Sequence, residues 1–241
     1  MYVPNYVPEP EAMPGNVTQE RYSKRLLFIR ETFYRFCLWV LVIALLAWAI
    51  PTEFGREPRF GWLWLLSLAL ISLLRTFGRG TTWEVKSAPI QALVCIGTTA
   101  LAARSATAFS FPAWSVLAGI GCFAVYAIFC GRDFSFVGGY VLALIASSTI
   151  IAFIMIEEAL TSLQSWQAIL WNAFALLYLV YDLASLMCRR KVTEVTAASV
   201  DLFRDIFNPF GWVPRVIMHW YRHRILNDLS FDLPFRRWLE D

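Results

Sequence analysis

Charge is what this chain has least of. Only 16% of its 241 residues are Asp, Glu, Lys or Arg, while 58% are apolar, and the mean hydropathy is +0.54. A soluble domain carries about 25% charged and about 45–50% apolar residues, and a chain of this size must still cover a water-facing surface. The shortage therefore excludes an ordinary soluble enzyme. A net charge of +3 excludes a nucleic-acid-binding tail protein, and no hydrophilic block is long enough for a separate soluble domain. Histidine is scarcer still. His219 and His223 stand four apart with no HExxH pattern or carboxylate beside them, which argues against a metal site there. The five cysteines (Cys37, Cys95, Cys122, Cys130, Cys188) lie in or beside apolar runs, without zinc or disulfide-framework spacing, and read as small buried hydrophobes. A nucleophile–base set, a Gly-rich phosphate loop and GxSxG are all missing, so the chain reads as no enzyme. The polar start, with Pro4, Pro8, Pro10 and Pro14, does not read as a cleavable secretory signal.

What is present is an integral membrane pattern. Stretches free of charge run over 36–52, 60–74, 87–103, 105–131, 134–156 and 159–181. Each approaches the ~20 residues that cross a bilayer, once its ends reach interfacial Trp, Tyr and Arg. Pro51, Pro58, Gly78, Gly80 and Pro112 punctuate the connections. A seventh segment, 192–213, is apolar in pattern but contains Glu194, Asp201, Arg204 and Asp205. Such a helix must face protein or water, and the centre of a six-helix bundle would provide that. The spacing predicts a polar Pro-rich tail over 1–20, a membrane domain over 21–215 and an amphipathic, basic tail over 216–241. Twelve Lys and Arg fall on the side of the N-terminus, including Arg21, Lys24, Lys86, Arg189, Arg190 and Lys191, against Arg56, Arg59 and Arg104 opposite. Positive-inside bias then puts the N-terminus in the cytosol or its organellar equivalent.

Two acids carry the chemistry. Asp182 interrupts the end of the sixth stretch and Asp205 lies inside the seventh. A lone ionised carboxylate at membrane depth is costly, so two in adjacent segments suggest one site. Held close they cannot both ionise freely, and together they could offer hard oxygen ligands to Ca²⁺. Alternatively each pairs with an Arg, such as Arg204 or Arg75, or caps a helix end. Asp201, one turn before Asp205, either enlarges the acidic site or is neutralised by Arg204. Arg75 is either a counter-ion to the acids or a snorkelling interfacial side chain.

At these residues the chain resembles the Bax inhibitor family, the transmembrane BAX inhibitor motif proteins. Tyr181-Asp182-Leu183 is similar to the end of that family's sixth helix, and Leu202 to Phe210 with Arg215 to its seventh. Phe28 to Tyr34 and Arg132 to Phe136 give weaker likenesses at the starts of helices one and five. Arg204, Asp201 and Pro209 depart from the family pattern, and the tail past Arg215 is longer than usual. The resemblance implies an all-α bundle of seven helices, six around a central seventh. It also implies a pH-sensitive Ca²⁺ leak or regulator of organelle ion homeostasis, with Asp182 and Asp205 as gate and Arg75 or Arg79 as latch. The membrane would be that of the endoplasmic reticulum or the mitochondrial inner membrane. The contrasting expectation is a non-conducting accessory subunit of a larger membrane complex, such as a mitochondrial respiratory or ATP synthase assembly, docked through the two tails. Beyond possible Ca²⁺ and structural lipids no cofactor is expected, and the partners are the bilayer and such subunits, with no nucleic acid.

Overall fold

A computed structural model describes residues 14–51, 58–78, 80–105, 113–131, 134–157 and 161–207. These are mostly helical, without a strand among them. In chain order the helices are α1 (Tyr22–Ala49), α2 (Pro58–Phe77), α3 (Thr82–Lys86), α4 (Ala88–Ser105), α5 (Ala113–Phe129), α6 (Phe136–Glu157), α7 (Ser162–Arg189) and α8 (Val195–Phe207), after a 3-10 turn at Val17–Gln19. Each of α1, α2, α4, α5, α6 and α7 overlaps one of the charge-poor stretches. Several overrun them: α1 starts early enough to carry Lys24, Arg25, Arg30, Glu31 and Arg35, and α7 runs past Asp182 to Arg189. In sequence both ends of α7 are well signalled. Thr161 and Gln164 form a reciprocal capping box at its start, and Arg189 sits in its last turn.

Three of these helices, Tyr22–Ala49, Phe136–Glu157 and Leu163–Arg189, are long and apolar enough to cross a membrane. Two shorter apolar helices, Ala88–Arg104 and Ser115–Phe129, accompany them. Their outer surfaces carry large apolar side chains, among them Leu41, Leu45, Leu142, Ile145, Phe153 and Phe174. A soluble protein would bury such faces; a bilayer solvates them. The chain is thus an all-helical membrane protein.

Helix α8 is different. It has the most one-sided apolar pattern, yet Val195 and Ala197–Ile206 are all buried, charges included. It packs against α1, α2, α3, α4 and α7, while α5 and α6 pack chiefly on each other, on α7 and, for α5, on α1. Phe203 lies at the centre of this packing, with its ring 4.4 Å from that of Phe207 and 6.1 Å from that of Phe36. Burying α8 on every side forces its charged residues to find partners inside the protein. Residues past Phe207, including Asn208-Pro209-Phe210, Arg215, both histidines and the C-terminal tail, lie outside the described residues, as do Arg79, Arg132, Asp133 and residues 1–13.

Candidate functional site: a buried ionic cluster

The cluster is assembled where α2 and α7 end and α8 begins. Arg75 lies in the last turn of α2, where a cation complements the helix dipole. Its side chain is not a snorkelling one: Arg75 is 2% exposed, so that reading gives way to an interior ion pair. The chain then reverses through Gly78 and Gly80. Gly80 has φ +78°, a conformation that suits glycine, and its N–H donates to Glu84 Oε2 at 3.1 Å. Thr81 caps α3 by accepting the Glu84 N–H. The resulting register turns Glu84 inward while Trp83 and Lys86 stay out.

From the other side comes Arg190, the residue that ends α7 in an extended conformation. Its carbonyl accepts the Val17 N–H at 2.9 Å, so the N-terminal 3-10 turn is fastened over this corner. Its guanidinium reaches Asp201 Oδ2 at 2.6 Å and also donates to Glu84. Arg75 Nε donates to Asp201 Oδ1 at 2.5 Å, its Nη1 to Gln91 Oε1 at 2.9 Å and its Nη2 to the Ala197 carbonyl at 3.0 Å. Glu84 lies 3.5 Å from Arg75 as well. Arg204 grips Asp205 through two bonds, Nε to Oδ1 at 2.7 Å and Nη2 to Oδ2 at 3.0 Å, and stands 3.6 Å from Asp201. Burial opposes charge on Arg190, but Asp201 and Glu84 outweigh it and hold its pKa above the ordinary arginine value. Arg75, Arg190 and Arg204 thus face Glu84, Asp201 and Asp205, cation for anion.

The structure places all five sequence-derived site residues in the interior. Asp201, expected either to enlarge an acidic site or to be neutralised by Arg204, is held by Arg75 and Arg190 with Arg204 further off. Asp205 is engaged by its neighbour Arg204. Asp182 has Arg189 Nη2 at 3.5 Å, two turns further along the same helix. Glu84, Gln91 and Arg190 were not singled out from sequence. Glu84 had a signal: it is the one acid between Arg75 and Lys86, three residues after a capping Thr. Arg190 had none, since in the run Arg189-Arg190-Lys191 nothing tells the buried cation from the exposed one.

Asp201 and Asp205 fit Ca²⁺ poorly. That ion takes about 6–8 oxygens, and here the carboxylate oxygens of Asp201 and Asp205 already receive guanidinium N–H groups whose charge would repel it. Among the described residues, no group of three or more His, Cys, Asp or Glu is placed to hold a metal ion. What the arrangement does chemically is neutralise buried charge and tie α2, α3, α4, α7 and α8 together. The fold and the cluster define a class, an all-helical membrane protein with a charge-balanced ionic core. No family model, curated protein or solved structure matches the chain.

Proposed function

We propose that this protein is a non-conducting structural or accessory subunit of a membrane assembly, built on a Bax-inhibitor-like bundle of seven helices in which six surround a central seventh, the buried α8. The observation that carries the reading is the closed pairing of Arg204 with Asp205 and of Arg75 and Arg190 with Asp201. An ion path needs carboxylates that water or a cation can reach. Here the acids on α8 are capped by arginines, which do not lose their protons in proteins. A permanently neutral core suits a part that must hold shape under load from neighbours. The polar segments at both ends would then be the docking elements, in a mitochondrial or endoplasmic reticulum membrane.

The test is calcium flux together with copurification. Purified protein in vesicles loaded with a calcium indicator should leak no faster than empty vesicles at neutral or acidic pH, and Asp182→Asn and Asp205→Asn should leave that unchanged. Gentle-detergent extraction should bring down stoichiometric partners. A pH-dependent Ca²⁺ flux in the wild type that Asp205→Asn alters would overturn the proposal and favour a leak channel. A monodisperse monomer whose two tails resist protease without partners would count against the subunit role.

A further inference from the structure

The corner that houses the ionic cluster sorts its charges by sign. Both acids of α3 and the α7–α8 turn, Glu84 and Glu194, face Arg190, at bonding distance and 3.9 Å respectively. The two lysines of the same segments, Lys86 and Lys191, are exposed. The Glu84–Arg190 contact joins the segments, so the two lysines belong to one rim. The N-terminal turn adds to it: Val17 is fastened to Arg190, and Arg21 and Lys24 follow on the exposed surface, with Glu20 partly balancing Lys24 at 2.9 Å. Beside these cations stand two outward aromatics. Phe77 ends α2 at 84% exposure, and Trp83 on α3 is 49% exposed with its ring edge over Gly78. Aromatic side chains at the ends of membrane helices sit at headgroup depth, and cations there attract anionic lipid.

We propose that this rim is a binding surface for anionic phospholipid headgroups, in the leaflet at which α2 and α7 end. Charge complementarity carries the inference. Glu84 and Glu194 are turned toward Arg190 and Glu20 balances Lys24, so the rim keeps an excess of lysine and arginine at Lys86, Lys191 and Arg21. Phe77 and Trp83 favour a lipid over an acidic protein, because they fix the rim at the depth of the headgroups rather than clear of them.

The experiment uses the full chain in nanodiscs of mixed phosphatidylcholine and phosphatidylglycerol, with retained lipid identified by native mass spectrometry after detergent release. The wild type should retain phosphatidylglycerol preferentially. Lys86→Gln and Lys191→Gln should each weaken the preference, by about fivefold per charge removed. Because these side chains lie outside the core, both variants should melt with the wild type in phosphatidylcholine alone. Raising the salt during release should erode the wild-type preference, as screening requires. Equal retention of the two lipids by the wild type would overturn the proposal and leave the rim to an acidic protein surface. So would a phosphatidylglycerol preference that survives when Lys86→Gln and Lys191→Gln are combined.

Discussion

Asp201→Asn is the most informative perturbation of the ionic core. The change is nearly isosteric, yet it removes the carboxylate that takes Arg75 Nε at 2.5 Å and Arg190 Nη2 at 2.6 Å. Three buried guanidinium groups would then face two carboxylates, Glu84 and Asp205. Removing one partner of a buried pair costs about 3–5 kcal/mol, because the charge left behind has lost its solvent and its counter-ion. For a chain of this length roughly 2–4 °C of melting temperature follows each kcal/mol, so a fall of roughly 6–20 °C is expected in detergent-solubilised protein. The decisive arm is the double variant Asp201→Asn with Arg75→Met. It removes one charge of each sign and leaves two intact pairs, Arg190 with Glu84 and Arg204 with Asp205. The double variant should therefore melt above the Asp201→Asn single, with a coupling of about 1–3 kcal/mol between the sites. A single variant that melts with the wild type, or a double whose loss equals the sum of the two singles, would refute the reasoning.

Other substitutions test the packing that holds this core. Gly119→Ala would place a methyl group 2.0 Å from Asn172 Oδ1 on α7, so it should cost about 1–3 kcal/mol in a melting experiment, and Asn172→Ala should relieve it. Gly139→Ala would meet Tyr126 at 2.6 Å, a ring whose hydroxyl also accepts the Ser135 N–H, and a similar loss should appear with no effect on α8 in hydrogen exchange. Thr161→Ala breaks the capping box of α7 and should lower stability by about 1 kcal/mol. Phe203→Ala empties the centre of the α1–α8 contact and should cost about 3–5 kcal/mol by thermal melting.

The helices were legible because hydropathy is a local signal. A stretch such as 134–156 reports its own helix, and α6 occupies Phe136–Glu157. Helix ends were less legible: α1 begins at Tyr22 because its first turns lie beside the 3-10 turn and the α5–α6 connection, where the Tyr22 hydroxyl accepts the Phe134 N–H. The interior position of Asp201, Arg204 and Asp205 follows from cost alone, since a helix bearing them cannot face lipid. Their pairing was not legible. Whether Arg75 meets Asp201 or Asp205 depends on the rotation of α2 against α8, a tertiary quantity that no single segment encodes. Glu84 shows the same limit: a carboxylate in a basic loop could face water, and only the turn through Gly80 aims it at Arg190.

The difference between a gate and a clamp comes down to what a proton would do. In a bare pair of close carboxylates, protonating one relieves repulsion, so acidification is a stabilising event and the pair can sense pH. In the cluster seen here each carboxylate on α8 sits against a guanidinium. Protonating Asp205 would cancel the charge that Arg204 holds through two bonds and leave a buried cation without its partner. The same proton that would open a gate must here first break a clamp, and arginine cannot release a proton to compensate. Replacing Arg204 with leucine removes that obstacle while leaving the acid in place. If a gate is latent in this fold, pH-dependent leak should emerge in Arg204→Leu and be absent from the wild type. If the variant only melts earlier and stays tight, the acids of α8 serve to hold the bundle together.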